Sequence, residues 1–192
     1  MGTGTLAAYG RMGDVFRFYE INPEVIRLAQ GEGAYFSYLA DCPAQVEVVP
    51  GDARMVLERE LAAGETQRFD LLVVDAFSGD SIPVHLLTKE AFDIYLAHLQ
   101  PDGVIALHIS NRYLDVQPVA QRLADQFELG TAFIDTTEDE QLGSHSSWVL
   151  VTRDESFLAQ PQIARRSVSQ AASTASRLWT DDYTNLFQVL KW

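Results

Sequence analysis

Cysteine and long apolar runs are scarce in this chain of 192 residues, and their scarcity argues against disulfides and membrane spans. A single cysteine, Cys42, leaves no partner for a disulfide within the chain, and this usage fits a reducing compartment. No apolar run approaches the ~20 residues that cross a bilayer. The start of the chain also lacks the basic and then apolar build of a signal peptide. We therefore expect a soluble, cytoplasmic protein without a membrane segment.

Positive charge is also scarce. Lysine and arginine number 14 against 27 acidic residues, which gives a formal net charge of −13. Because affinity for nucleic acid depends on Lys and Arg displacing counterions, we expect no nucleic-acid partner and favour a cationic or neutral small molecule. The four histidines show no metal-ligand spacing with Cys42, so we expect no metal site. Among them, His108 falls within a predicted strand and is interpreted as a hydrogen-bonded core or edge histidine.

The apolar residues alternate between short buried strands and amphipathic helices. This alternation predicts an α/β fold with a Rossmann-like, doubly wound and mostly parallel sheet. The predicted strands are residues 15–20, 45–49, 69–75 and 103–110. The predicted helices are residues 23–30, 53–62, 87–99 and 116–127.

The pattern changes after Glu128. Residues 131–135 and 147–152 read as two strands with no helix between them, which predicts an antiparallel hairpin at a sheet edge. Residues 160–176 are predicted to form a surface helix. We expect one domain over 1–155, followed by an extension over 156–192 that packs on it. Within the extension, the aromatic and acidic residues 179–183 fit either closure over a cation or docking on the sheet.

Small and acidic residues follow the predicted strands. Gly2 and Gly4 are spaced as Gly-x-Gly, and Glu20 follows about 16 residues later, a spacing close to that seen in nucleotide-binding α/β folds. Residues 51–53 and Asp75 come just after two further strands. Because ligands bind at the carboxyl edge of open α/β sheets, these residues predict a nucleoside site.

The first residues read as a glycine loop that feeds a helix, yet the strand that ordinarily precedes such a loop is missing. In a doubly wound sheet that strand is central. Its loss would leave two neighbours without ladder partners, and each buried unpaired group costs ~1–3 kcal/mol. We expect either an upstream segment or another chain to fill the position, or the sheet to close up.

Five stretches together resemble the S-adenosylmethionine-dependent methyltransferase fold and, within it, the spermidine synthase (polyamine aminopropyltransferase) family. They are residues 2–9, 18–26, 51–54, 69–83 and 99–106. The narrowest part of the likeness is Asp75 with its following loop and the segment 86–92. The family carries a β-hairpin domain ahead of the glycine loop, and its contacts have no counterpart in this sequence.

The resemblance implies roles on the donor side. Gly2 and Gly4 would line the amino-acid-derived end of the donor, Glu20 would hold the ribose hydroxyls, and Asp52 with Ala53 would contact the adenine. The implied co-substrate is decarboxylated S-adenosylmethionine or S-adenosylmethionine itself, without a metal.

On the acceptor side, the resemblance implies that Asp75 is the catalytic acid facing the attacking amine. The family has a second acid three residues on. Here the next acid is Asp80, in a longer loop, and it is a candidate substrate contact together with His85.

The implied reaction moves an aminopropyl group from decarboxylated S-adenosylmethionine to a polyamine. Two alternatives stay open. The same site fits an S-adenosylmethionine-dependent small-molecule methyltransferase, and the missing strand fits a catalytically inactive nucleoside-binding module. The oligomeric state is open too, with a homodimer as the assembly that the resemblance favours.

Overall fold

The computed structural model describes residues 1–31, 33–77, 82–136, 146–168 and 177–191. The chain forms two compact units, Met1–Ala63 and Gly64–Trp192. Both are built from strands that alternate with helices, which is the predicted α/β class. Among the described residues, none of the helices is both long and apolar enough to span a membrane.

The first unit is built on two parallel strands. In chain order its elements are β1 (Val15–Glu20), α1 (Pro23–Ala29), β2 (Gln45–Pro50) and α2 (Ala53–Ala62). The strands pair in register from Val15 with Gln45 to Glu20 with Pro50, so their carboxyl ends lie side by side. Helix α1 begins as predicted, because Asn22 Oδ1 accepts the Glu24 N–H at 2.9 Å.

The glycine loop of the first unit leads into a short 3-10 helix, Thr5–Tyr9, instead of the α-helix implied by a dinucleotide-type loop. Gly10 follows directly and has an extended backbone, which ends the helical conformation after five residues. The turn still contributes to the core, because Ala7 is buried beside Phe18, Ala29 and Leu39.

The second unit contains a four-stranded sheet in the order β3-β4-β6-β5. Its main elements are β3 (Phe69–Val74), α3 (Lys89–His98), β4 (Leu99–His108), α4 (Gln117–Gln126), β5 (Gly130–Thr136) and β6 (Ser146–Thr152). Strands β3 and β4 are parallel, whereas β6 is antiparallel to both β4 and β5. The predicted antiparallel hairpin is therefore confirmed, with β6 inserted between β4 and the edge strand β5.

Strand β4 begins earlier than predicted. Leu99 already pairs with Phe69, so the strand includes the predicted end of the preceding helix, Leu99, and the three residues 100–102 that lay between the predicted elements. Helix α3 begins later than predicted, at Lys89. Thr88 caps it, since Thr88 Oγ1 accepts the Ala91 N–H at 3.3 Å.

The predicted surface helix over 160–176 is wrong in its length. One short helix, α6 (Pro161–Ala164), lies in this region, and another, α5 (Glu155–Leu158), comes just before it. Beyond them Ser167 forms a bridge with Ile134, and the Val168 N–H donates to the Phe133 carbonyl at 2.9 Å. The chain leaves the helical conformation because it supplies hydrogen-bond partners to the edge strand β5. The rest of the predicted helix, 169–176, lies outside the described residues.

The segment 179–183 packs against the start of α3 within the second unit. Trp179 is only 1 % exposed, and its carbonyl accepts the Lys89 N–H at 2.9 Å. Thr88 Oγ1 donates to Asp181 Oδ1 at 2.8 Å, and the Asp181 N–H donates to Glu90 Oε2 at 2.9 Å. These contacts join the segment to the start of α3 and leave Trp179 no exposed ring face for a cation.

Candidate functional site

In the first unit, Glu20 lies at the carboxyl end of β1 with its carboxylate held from two sides. Its Oε1 accepts the Asn22 N–H at 2.9 Å, and its Oε2 lies 3.3 Å from the Met1 amino group. The side chain is 12 % exposed. The backbone carbonyl of Glu20 accepts the Gly51 N–H at 2.8 Å, which joins the end of β1 to the turn after β2.

Asp52 lies in that turn and caps α2. Its Oδ1 accepts the Met55 N–H at 3.0 Å, and Ala53 is the first residue of the helix. An aspartate at this position satisfies one of the four amide groups that a helix start leaves unpaired. The pattern Gly51-Asp52-Ala53 therefore has a structural explanation, and adenine contact by Asp52 and Ala53 stays a prediction.

The glycine loop has two residues in the left-handed region, Gly2 at φ +56° and Gly4 at φ +82°. A Cβ on Gly4 would lie 2.6 Å from Leu39 Cδ2, so glycine is needed there for packing within the unit. A Cβ on Gly2 would meet nothing within 4 Å. Through the Met1 amino group, the loop reaches Glu20, so the structure brings together the predicted donor-binding segments of this unit.

In the second unit, Asp75 follows the last residue of β3 and is 41 % exposed. Its Oδ1 lies 2.6 Å from Nδ1 of His108, the last residue of β4. The parallel register explains the contact, because Val74 pairs with Leu107, and the residues that follow them in the chain are Asp75 and His108.

A chain of hydrogen bonds continues from His108 across the sheet end. His108 Nε2 lies 2.8 Å from Ser110 Oγ, which also accepts the Ser147 N–H at 2.8 Å. Ser147 Oγ in turn donates to Asp135 Oδ1 at 2.6 Å. The polar groups thus link the ends of β3, β4, β6 and β5.

The imidazole of His108 is fixed by aromatic contacts as well. It stacks on Trp148 with ring centroids 4.4 Å apart and an interplanar angle of 8°. Phe77 meets the ring edge-on, with ring centroids 5.0 Å apart and an interplanar angle of 76°.

The hydrogen bond to Asp75 indicates which ring nitrogen of His108 carries a proton. A carboxylate oxygen only accepts hydrogen bonds, so at 2.6 Å the Nδ1 atom carries a proton and donates it to Asp75. The Nε2 atom then meets a hydroxyl that is able to donate or accept.

The place of His108 in a candidate site was not predicted from the sequence. The available signal was its place at the carboxyl end of a strand parallel to the one that ends at Asp75, with Ser110 two residues later on the same side of the strand. Hydrophobic periodicity predicts where strands occur, but it does not predict which strands are neighbours. The pairing of β3 with β4 could therefore not be predicted from the sequence.

Two candidate substrate residues remain predictions. Asp80 lies outside the described residues. His85 lies in a short 3-10 helix, Val84–Leu86, and is half-buried.

The predicted site residues are divided between the two units. Glu20 and Asp52 belong to the first unit and Asp75 belongs to the second, so a single cleft shared by them also stays a prediction. Within the described residues, no group of three or more His, Cys, Asp and Glu side chains is arranged to hold a metal ion.

The chain is similar in sequence to a curated protein that is named for a polyamine activity. The chain is 31 % identical over 115 residues to a probable polyamine aminopropyl transferase of Bifidobacterium longum (strain NCC 2705). The match covers 57 % of this chain and 23 % of the relative, so the chain spans less than a quarter of that relative's length. No protein-family model matches the chain.

Solved structures share the fold. The spermidine synthase of Thermotoga maritima aligns with a TM-score of 0.54 and 13 % identity, over 94 % of this chain and 66 % of that one. The O-methyltransferase TomG of Streptomyces achromogenes, in complex with SAM, aligns with a TM-score of 0.53 and 18 % identity, over 79 % of this chain and 70 % of that one. These likenesses establish a class I methyltransferase-like fold, as the sequence predicted.

Proposed function

We propose that this chain, a spermidine-synthase-like domain, transfers an aminopropyl group from decarboxylated S-adenosylmethionine to a polyamine. The observation that carries the proposal is the Asp75 carboxylate, which is exposed and yet anchored at Oδ1 by His108. An anchored, exposed carboxylate at the carboxyl ends of two parallel strands is suited to bind a cationic amine. The named activity of the Bifidobacterium relative agrees with this chemistry.

The first unit supplies groups for the donor. A ribose diol needs an acceptor fixed in position, and Glu20 offers a carboxylate held by the Asn22 amide. The other oxygen of this carboxylate, Oε2, would accept from the ribose hydroxyls. Asp52 would accept from the adenine amino group while its Oδ1 caps α2. These residues fit a nucleoside because they combine carboxylate acceptors with the carboxyl ends of two parallel strands.

The acceptor must lose a proton before it reacts. A primary ammonium has a pKa near that of a lysine side chain, ~10.4, so at pH 7 the amine is almost wholly protonated. A carboxylate is too weak a base to remove this proton efficiently, since the ordinary pKa of an aspartate is ~3.9. We infer that the proton leaves to solvent and that Asp75 attracts and orients the amine.

The transfer itself is a single displacement. The neutral amine nitrogen forms a bond to the aminopropyl methylene carbon that is attached to the sulfonium. The bond between this carbon and the sulfur breaks at the same time. The electron pair of that bond goes to sulfur, which becomes the thioether of 5′-methylthioadenosine, and the nitrogen takes the positive charge. Holding the nitrogen and the carbon in line lowers the activation barrier by up to roughly 7–11 kcal/mol in well-oriented model reactions. Orientation of the amine is therefore the main contribution of such a site to the rate.

The second candidate is an S-adenosylmethionine-dependent small-molecule methyltransferase. The observation in its favour is the likeness to TomG, whose structure contains SAM. The two reactions share the nucleoside and the sulfonium and differ in which carbon is attacked. The net charge of −13 favours the decarboxylated donor, because that donor lacks a carboxylate.

Product analysis separates the candidates. The protein is incubated with putrescine and either decarboxylated S-adenosylmethionine or S-adenosylmethionine, and the products are identified by mass spectrometry. Aminopropyl transfer gives spermidine and 5′-methylthioadenosine with the first donor only. A methylated amine and S-adenosylhomocysteine with the second donor would support the methyltransferase. Binding of 5′-methylthioadenosine, seen as a rise in melting temperature, without turnover of either donor would support the inactive nucleoside-binding module.

A further inference from the structure

We propose that His108 is a positioning residue for the transfer, and that it acts by holding the Asp75 carboxylate in the orientation that receives the acceptor amine. This inference rests on the proposed function and adds a residue to it. Nδ1 of His108 binds one oxygen of Asp75 at 2.6 Å. The other oxygen, Oδ2, makes no hydrogen bond or ion pair with the residues that the structure describes. It is the atom that the amine meets.

The direction of burial supports this assignment. Carboxylate, imidazole and hydroxyl follow one another in the order of a hydrolase triad, Asp75, His108, Ser110. In such a triad the carboxylate is the buried member and the serine faces the substrate. Here Asp75 is exposed, at 41 %, whereas Ser110 at the other end is half-buried, and Ser110 Oγ accepts an amide hydrogen from Ser147. The set therefore presents a carboxylate to the substrate, with the imidazole behind it.

The surroundings of His108 keep its ring in one orientation. Asp75 lies on the Nδ1 side, Ser110 on the Nε2 side, Trp148 against the ring face and Phe77 edge-on. The charged group next along the polar chain, Asp135, reaches Ser147 on β6 and fixes that strand end. A ring held on four sides gives Asp75 Oδ1 a fixed partner, which is what orientation of Oδ2 requires.

A fixed carboxylate matters because the reaction is a displacement in line. An amine that donates one N–H to Oδ2 has its lone pair directed at a defined angle. A misplacement of about 1 Å far from the reacting bond is able to cost ~100-fold in rate. Loss of the Nδ1 donor is therefore expected to lower kcat more than it raises KM for the amine.

Two substitutions test which ring nitrogen matters. The side-chain amide nitrogen of asparagine reaches the position of Nδ1, whereas that of glutamine reaches nearer to Nε2. We expect His108→Asn to keep kcat within about threefold of the wild type, and His108→Gln to lose roughly 10- to 100-fold in kcat. Far-UV circular dichroism and the affinity for 5′-methylthioadenosine verify that both variants are folded. Equal losses in the two variants would overturn the assignment.

A double-mutant cycle tests whether His108 acts through Asp75. Spermidine formation and putrescine affinity in the presence of 5′-methylthioadenosine are measured for the wild type, Asp75→Asn, His108→Gln and the double variant. If His108 acts through Asp75, then His108→Gln changes either quantity by less than about twofold in the Asp75→Asn background. A loss of the same size in both backgrounds would show a merely structural role and overturn the inference.

The cycle also distinguishes this inference from the proposed function. An active wild type with additive losses leaves the aminopropyl transfer standing and removes only the role of His108. A wild type that neither forms spermidine nor binds putrescine overturns the proposed function, and the positioning role is rejected with it. An inactive wild type whose putrescine affinity still shows the coupling rejects the transfer and supports only the orientation of Asp75 towards the amine by His108.

Discussion

The carbonyl of Glu20 accepts the N–H of Gly51 at 2.8 Å, and this bond joins the end of β1 to the turn after β2. This hydrogen bond continues the parallel ladder of β1 and β2 by one residue beyond the last pair, Glu20 and Pro50. As a result, the carboxylate of Glu20 and the helix cap Asp52 lie at one edge of the first unit. A nucleoside that used both would lie along this edge.

Replacement of Glu20 by glutamine is expected to weaken the binding of 5′-methylthioadenosine by roughly 10- to 100-fold, since a hydrogen bond to a charged group contributes ~1.5–3 kcal/mol. Isothermal titration calorimetry measures the affinity. Glu24→Gln is the matched control, because Glu24 is an exposed acid of the same unit paired with Arg27 on the helix surface. Wild-type affinity in Glu20→Gln would remove Glu20 from the donor site.

Asp52 has two separable roles. Asp52→Ala removes the cap of α2 and is expected to lower the free energy of unfolding by about 1 kcal/mol. Asp52→Asn keeps a capping oxygen and is expected to retain stability, yet it presents an amide to the adenine. Urea denaturation measures the first effect and 5′-methylthioadenosine affinity the second. Unchanged affinity in both variants would leave Asp52 with the capping role alone.

The two glycines of the loop are expected to respond differently to alanine. Both have a positive φ, and a left-handed alanine costs roughly 1–2 kcal/mol. Only Gly4→Ala also drives a methyl group to 2.6 Å from Leu39 Cδ2, so it is expected to be the more destabilising variant in thermal unfolding. Equal melting temperatures for Gly2→Ala and Gly4→Ala would show that Leu39 moves aside without cost.

Tyr19 makes the stability of the protein sensitive to alkaline pH. Burial raises its pKa to about 12, with the charge of Glu60 adding to the rise and the hydrogen bond from Arg17 opposing it. The unfolded chain releases this proton near pH 10 and the folded one retains it, so the part of the stability that is linked to Tyr19 is fully present below about pH 10 and is lost as the pH rises towards 12. Urea denaturation between pH 9 and 11 measures the fall.

Tyr19→Phe removes the titrating group and is expected to flatten this part of the stability profile. Tyr35→Phe is the control, because Tyr35 is an exposed tyrosine of the same unit. An identical slope in wild type and Tyr19→Phe would show that other groups cause the alkaline loss.

Local signals in the sequence predicted much of the fold. The bounds of β1 and α2 match the prediction to the residue, because β1 follows Asp14 and ends in the charged Glu20, and α2 begins after the capping Asp52. Helix α1 follows an Asn-Pro start for the same reason. The hairpin β5–β6 was predicted correctly from the absence of a helical period between its strands.

Elements that depend on distant partners were not predicted. Leu99 extends β4 because Phe69 is there to pair with it, and Ser167 is extended because Ile134 needs a partner. The contact of His108 with Asp75 likewise depends on strand order, which sequence periodicity does not contain. Candidate site residues at strand ends were therefore predicted singly, while the polar chain behind Asp75 was missed.

The most direct test of aminopropyl transfer is the putrescine-dependent release of 5′-methylthioadenosine from decarboxylated S-adenosylmethionine, compared between the wild type and Asp75→Asn. Asparagine keeps the shape of the side chain and removes the charge that attracts and orients the amine. We expect release by the wild type that requires putrescine, and a loss of roughly 100-fold or more in kcat/KM for Asp75→Asn with unchanged melting temperature. Release that does not depend on putrescine, or equal rates in the two proteins, would contradict the account.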